Sequence, residues 1–374
     1  MYLSLLRPLL FLLSPQAAHR VAMAGMAAVE YTPPLRGIIG SICGAKDPRI
    51  AMRIMGLDFA SPIGLAGGFD KNARRARALA AFGFGHLELG TVTARAQAPN
   101  PEPNLFRLPL DRALINRLGF PNEGAANVAQ RIAATLGVSG ARRGALRGVP
   151  VGVSIGKSRD VPLDPIEGAI DDYLASFRHA QSVADFVVVN ISSPNTKGLR
   201  AMQGGAIAHA LLSAIKQERD QGEHRPPLLV KIAPDLNESE LEELLAVVER
   251  VGVEGVVATN TTIARAGLLT DAPTVEAIGA GGLSGPPVRA RAVEVVRRVR
   301  TRLGKSLVIV GVGGVESGAD AMALVRAGAS LVQMYTGFVY GGPGAPVKIA
   351  RELARELERL GARSLAELVG QDVK

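Results

Sequence analysis

Two lysines, four asparagines and several glycine clusters are the residues whose types and spacing could do chemistry in this chain. Lys71 closes the run Gly67-Gly68-Phe69-Asp70-Lys71, and Lys231 sits inside the apolar run Leu228 to Ile232. They offer positive charge for a carboxylate and for a ring that gains electrons. Asn116, Asn190, Asn195 and Asn260 each present an amide with a donor and an acceptor, which matches the alternating N–H and C=O edge of a pyrimidine ring. Gly311-Val312-Gly313-Gly314 and Tyr335-Thr336-Gly337 let backbone N–H groups approach a phosphate, which points to a phosphorylated cofactor. Taken singly, each asparagine is better explained by turn geometry and each glycine run by tight backbone. Their joint placement is the stronger observation.

That placement follows from the elements that must position them. Short runs rich in Val, Ile and Leu alternate with longer amphipathic stretches, the pattern of parallel β/α architecture. Strands are expected at Ile63 to Ala66, His86 to Leu89, Pro150 to Ile155, Phe186 to Ile191, Leu228 to Ile232, Gly255 to Ala258, Leu307 to Val310 and Leu331 to Met334. Eight strands with helical crossovers predict a closed (β/α)8 barrel, whose chemistry lies just past the C-terminal strand ends. The polar runs fall there: Gly67 to Lys71, Thr91, Ser154, Asn190 to Thr196, Lys231, Thr259 to Thr262, Gly311 to Gly314 and Tyr335 to Gly337. Leu241, Leu244, Leu245 and Val248 share one helix face, with Ser239 and Glu242 spaced as a capping box and Gly252 as the stop. Ile50 to Met55 and Leu57 to Phe59, turning at Gly56, read as a hairpin plugging the barrel floor, and Gly137 to Gly148 as an exposed loop.

The formal net charge of +9 favours anionic partners. The absence of Trp and the few aromatics leave no stacking platform, so nucleic acid is not expected. Cys43 is the sole cysteine, which excludes an intramolecular disulfide and a Cys-based zinc site, and no metal is expected. Residues 1 to 29 contain no acid. Arg7-Pro8 interrupts any membrane span, and Met1 to Leu6 lacks the basic start of a signal peptide. Two readings stay open: a helical hairpin lying on a membrane, with helices near Leu3 to Leu13 and Pro15 to Ala28 and an N-cap at Ser14, or two helices packed on the main domain. Tyr31 to Gly37, with Pro33 and Pro34, reads as a linker, so that residues 1–36 form the extension and 37–374 the barrel.

The runs Gly-Phe-Asp-Lys (68 to 71), Gly-Thr-Val-Thr (90 to 93), Leu-Phe-Arg-Leu (105 to 108), Asn-Arg-Leu-Gly-Phe (116 to 120), Asn-Ile-Ser-Ser-Pro-Asn-Thr (190 to 196), Lys-Ile-Ala-Pro-Asp (231 to 235), Thr-Asn-Thr-Thr (259 to 262), Gly-Gly-Leu-Ser-Gly (281 to 285) and Gly-Val-Gly-Gly (311 to 314) resemble the class 2, quinone-dependent dihydroorotate dehydrogenases over nearly the whole chain. The resemblance implies oxidation of dihydroorotate to orotate in pyrimidine biosynthesis, with FMN bound and a membrane quinone as acceptor. It implies FMN contacts at Gly67, Gly68, Phe69, Asp70, Lys71, Thr91, Ser154, Asn190, Lys231, Thr259, Gly285, Gly314, Tyr335 and Thr336. Substrate contacts are implied at Lys71, Asn116, Arg117, Leu118, Gly119, Phe120, Asn190, Asn195, Asn260 and Thr261, with Ser193 as the base that takes the C5 proton. His19, Arg107 and Tyr335 match positions near a quinone head. The same resemblance implies a monomer bound peripherally to lipid on the cytoplasmic face of the cell membrane.

Three positions depart from the family pattern: Ser154 for Asn, Thr336 for Ser and Gly67 for Ala. A hydroxyl at 154 reaches less far and offers one donor fewer than an amide. An unassisted serine is a poor base, so Ser193 requires a neighbour or a water chain. Two other functions fit the same frame: a Schiff-base aldolase using Lys231, and a flavin-binding surface module without turnover.

Overall fold

The computed structural model describes residues 2–44, 46–138, 146, 148–196 and 198–373. A π-helical turn, Tyr2–Leu6, leads into α1 (Arg7–Leu12), α2 (Pro15–Tyr31) and α3 (Pro33–Cys43). The hairpin β1 (Met52–Ile54) and β2 (Leu57–Phe59) precedes β3 (Ile63–Leu65), α4 (Ala76–Ala81), β4 (His86–Val92), β5 (Leu105–Leu108), β6 (Ala113–Asn116) and α5 (Ala125–Leu136). Then follow β7 (Val151–Ile155), α6 (Ile166–Gln181), β8 (Phe186–Asn190), α7 (Gly205–Gln221), β9 (Leu228–Ile232), α8 (Glu238–Val251) and β10 (Gly255–Ala258). The chain finishes with α9 (Ala272–Ile278), β11 (Gly282–Ser284), α10 (Arg289–Leu303), β12 (Val308–Val312), α11 (Gly318–Ala327), β13 (Leu331–Met334), α12 (Thr336–Gly341) and α13 (Ala345–Leu360).

Parallel strands β3, β4, β7, β8, β9, β10, β12 and β13 neighbour one another in chain order, and β13 pairs back to β3 to close the barrel. Their sequences are near-continuous Val, Ile and Leu runs because both faces are covered, outside by helices and inside by one another. The inward set, with Phe186, Val188, Leu229, Val257, Val310 and Leu331, forms its own cluster with Phe59 at the floor. The hairpin turns through Met55 and Gly56, both left-handed (φ 55° and 74°), as a two-residue turn between twisted strands requires. The floor plug is therefore as expected.

Elsewhere the structure departs from the sequence reading. Pro33 and Pro34 begin α3 instead of marking a linker, because a helix's first turn needs no N–H donors and proline's φ is already helical. The 36/37 boundary consequently falls inside a helix. Asn237, not Ser239, caps α8: its Oδ1 accepts from Glu240 N at 2.9 Å, and Glu240 returns the bond at 2.8 Å. Gly252 ends that helix in the left-handed region as anticipated. Ser14 caps α2 by accepting from Ala17 N at 3.2 Å. A three-stranded antiparallel sheet, β5, β6 and β11, was not anticipated; it sits over the barrel mouth with Leu108, Ala113, Ile115 and Leu283 as its core. The expected Gly137 to Gly148 loop lies largely outside the described residues.

The N-terminal helices leave Leu3, Leu5, Leu9, Leu12, Ile38 and Ile42 more than half exposed. Among the described residues no helix is long and apolar enough to cross a membrane.

Candidate active site

A cleft of about 1050 Å3, its open mouth included, lies at the C-terminal strand ends and is walled above by the small sheet. Lys231, one of the inward side chains of β9, reaches its floor and is almost fully buried. Its Nζ lies 3.2 Å from Oε1 of Glu88 on β4, and Gln333 Nε2 on β13 donates to the other carboxylate oxygen at 3.0 Å. Glu88 is wholly buried. Neither Glu88 nor Gln333 was singled out from sequence. The available signal was a polar residue in the middle of a buried apolar strand, which rarely occurs without a partner.

The asparagines are joined by hydrogen bonds. Asn190 Nδ2 donates to Thr91 Oγ1 at 3.0 Å, and Thr91 Oγ1 lies 3.0 Å from Ser154 Oγ. Ser192 Oγ donates to Asn190 Oδ1 at 3.1 Å while accepting from Asn260 Nδ2 at 2.9 Å. Asn195 Nδ2 donates to Asn116 Oδ1 at 3.0 Å, and Asn116 Nδ2 donates to Gly282 O at 3.3 Å. Ser193 Oγ accepts the Asn195 backbone N–H at 3.2 Å. Lys71 Nζ donates to Gly68 O at 2.5 Å, and burial pulls its pKa down to about 8 against the opposing pull of Asp70. Amides from β6, β8 and β10 thus converge on one polar wall.

At the opposite corner, Ser284 Oγ and Thr336 Oγ1 are 2.8 Å apart beside Gly285 and Gly314. Gly314 (φ +67°) could bear no side chain, since a Cβ would lie 2.8 Å from that of Arg289 and 3.0 Å from Gly285 O. The groups present suit a phosphorylated flavin: a glycine-lined corner with two hydroxyls, a buried ammonium as donor, and Gln333 Oε1, an acceptor buried without a partner. These features fit FMN.

Of the residues expected at the site, Gly67, Gly68, Lys71, Thr91, Asn116, Leu118, Gly119, Phe120, Asn190, Ser193, Asn195, Lys231, Thr259, Asn260, Thr261, Gly285, Gly314, Tyr335 and Thr336 all line the cleft. Four do not. Arg117 turns away to Pro103 O (3.2 Å) and Ile278 O (2.5 Å), over the Phe106 ring. Asp70 spends its carboxylate on the N–H groups of Arg74 and Arg75 at 2.9 and 2.7 Å. Ser154 stands behind Thr91, and Phe69 packs edge-on against His19 and Tyr335 with ring centres 5.6 Å away in each case.

A second cavity, about 1170 Å3 with its mouth, is apolar and runs between α1, α2 and the barrel. It brings His19, Arg107 and Tyr335 together with Tyr2, Leu10 and Phe11. Arg107 donates to Leu10 O at 3.4 Å and to Leu13 O, and lies 4.6 Å from the Phe11 ring centre. Burial, then the Lys71 charge, lowers the His19 pKa to about 4. Leu105, Leu114 and Tyr335 line both cavities.

Residues 49–357 match the family model described as dihydroorotate dehydrogenase. The chain belongs to the dihydroorotate dehydrogenase family. It is 46% identical over 374 residues to the dihydroorotate dehydrogenase (quinone) of Thermobifida fusca, covering all of this chain and 97% of that one. The dihydroorotate dehydrogenase (quinone) of Nocardia farcinica is 46% identical over 372 residues, with the same coverages. Among solved structures, the ligand-free DHODH of Eimeria tenella superposes with a TM-score of 0.86 at 33% identity, covering 96% of this chain and 99% of that one. The Eimeria tenella DHODH in complex with ferulenol gives 0.82 at 32% identity, covering 96% and 95%. The dihydroorotate dehydrogenase fold accounts for the N-terminal helices as well as the barrel.

Proposed function

We propose that this chain oxidises dihydroorotate to orotate with FMN as bound cofactor and passes the electrons to a membrane quinone. The observation that carries the reading is the shared wall: a polar, amide-lined cleft meets an apolar tunnel at Leu105, Leu114 and Tyr335. FMN, when bound, supplies a two-electron acceptor for the C6 hydride. Gly67, Gly68, Thr91, Lys231, Thr259, Gly285, Gly314, Tyr335 and Thr336 would hold it, with Lys231 offsetting the negative charge that develops. Asn116, Asn190, Asn195, Asn260 and Thr261 read the ring edge of the substrate, and Lys71 meets its carboxylate.

Ser193 takes the C5 proton. The Asn195 N–H donated to its Oγ steadies negative charge on that oxygen but takes up no proton, so the hydroxyl proton that Ser193 sheds as it takes the C5 proton leaves through water entering the cleft. Arg117, Asp70, Phe69 and Ser154 then act from behind the lining residues, holding loops in place. His19, Arg107 and Tyr335 would surround the quinone head. The exposed leucines of the N-terminus, beside Arg7 and Arg20, suit a peripheral position on the cytoplasmic face of the cell membrane. The protein would work there as a monomer, with the helices up to the end of α3 at Cys43 as anchor and quinone entrance and the chain beyond them as the catalytic barrel.

The deciding experiment is anaerobic addition of dihydroorotate to purified protein. A yellow preparation that bleaches supports the reading. A colourless protein trapped on Lys231 by borohydride favours an aldolase, and a yellow protein that does not bleach is a binding module.

A further inference from the structure

We propose that Glu88, admitted against Lys231 by the missing side chain at Gly67, is a positioning residue that reduces the positive charge Lys231 presents to the bound cofactor. The inference rests on the flavin reading above and concerns what tunes it. Glu88 is fully buried in β4, and both of its oxygens are engaged, Oε1 by Lys231 Nζ at 3.2 Å and Oε2 by Gln333 Nε2 at 3.0 Å. Three different strands thus contribute to one small cluster at the cleft floor. A Cβ built on Gly67 would lie 2.3 Å from Glu88 Oε1 and 2.9 Å from its Cδ. That oxygen is the one on Lys231. An alanine at position 67 would therefore force that carboxylate oxygen to shift, and the contact with the ammonium in its present form needs the glycine.

The consequence is electrostatic. A lone buried ammonium favours the electron-rich state of a neighbouring ring, whereas an ammonium paired with a carboxylate acts at short range as a dipole of much smaller field. Gln333 adds direction: with its Nε2 fixed on Glu88, its unpartnered Oε1 is the atom left to accept a ligand N–H. Lys231, Glu88 and Gln333 behave as a unit whose net charge is zero.

The test uses the flavin-loaded full-length protein and two readouts other than turnover: the sulfite dissociation constant, since sulfite addition places negative charge on the ring, and the midpoint potential from dye equilibration. Glu88→Gln should bind sulfite about tenfold more tightly and shift the two-electron potential upward by the equivalent of about tenfold, or roughly 30 mV. Gly67→Ala should move both values in the same direction by less, and it decides the matter if Glu88→Gln fails to retain flavin. Values unmoved in Gly67→Ala, or unmoved or reversed in Glu88→Gln, overturn the inference. A wild-type protein that takes up no flavin would instead overturn the functional reading beneath it.

Discussion

Asn195 and Asn116 are bonded side chain to side chain, Nδ2 to Oδ1 at 3.0 Å, and this contact ties the loop after β8 to the end of β6. It fixes which atom each amide turns to the cleft, so the two act as a pair. Asn195→Ala and Asn116→Ala should each lower kcat/KM for dihydroorotate by about tenfold, the effect of leaving a half-buried polar partner unmatched at the substrate wall. The double variant should lose much less than the product of the two, as residues in one network do. Full multiplicativity in steady-state assays with a soluble dye would show two independent contacts.

Ser193→Ala should keep FMN bound and slow its reduction by dihydroorotate by about two orders of magnitude or more, the span expected for losing a positioned base. Anaerobic stopped-flow absorbance reads this directly. Reduction at a near wild-type rate would move the base elsewhere.

Lys231→Met should weaken FMN retention or lower the flavin potential, and it leaves Glu88 as a buried carboxylate without its cation. Flavin content after gel filtration and dye equilibration measure the two effects. Unchanged content together with an unchanged potential would exclude the proposed electrostatic role.

Removing residues up to Leu13 takes away Tyr2, Leu6, Leu10 and Phe11, one wall of the apolar tunnel. It spares Glu30, whose buried carboxylate accepts from Ala78 N at 2.9 Å at the start of α4. Turnover with a long-tailed quinone should fall far more than turnover with a water-soluble dye, and flotation with anionic vesicles should weaken. Equal losses with both acceptors would make the helices a packing element.

His86 is wholly buried on β4 between Phe59 and Phe186, with neither ring nitrogen partnered, and burial lowers its pKa from 6.5 to about 3. The folded protein therefore keeps it neutral where the unfolded chain would protonate it. Stability is unaffected above pH 6.5 and is lost progressively between 6.5 and about 3, at a slope of about 1.4 kcal/mol per pH unit for this group. His19, with a pKa near 4, adds in the same direction. Urea midpoints measured across this range should flatten in His86→Leu; an unchanged slope would place the loss in other groups.

What was legible in the sequence, and what was not, divides along physical lines. The barrel strands could be read because parallel strands buried on both faces are plain apolar runs; Leu228–Ile232, Gly255–Ala258 and Leu331–Met334 fall where those runs do. The lining residues were legible because they sit at strand ends, where the fold must deliver them. Orientation was not: Arg117 lies within a cleft-lining run yet its guanidinium faces the outside of the small sheet. That sheet was itself hidden, since β6 pairs with β11 across more than 160 residues and neither segment is long enough to announce a strand. Glu88 and Gln333 belong to no motif, and only the meeting of β4, β9 and β13 gives them meaning.

Tyr335, Leu105 and Leu114 line both the polar cleft and the apolar cavity, so in the proposed function dihydroorotate and quinone would arrive from separate sides. The reductant and the oxidant therefore need never be present together. Double-reciprocal plots against quinone at several fixed dihydroorotate concentrations should run parallel. A lipophilic inhibitor lodged among α1 and α2 should compete with quinone alone, leaving a single turnover of dihydroorotate untouched.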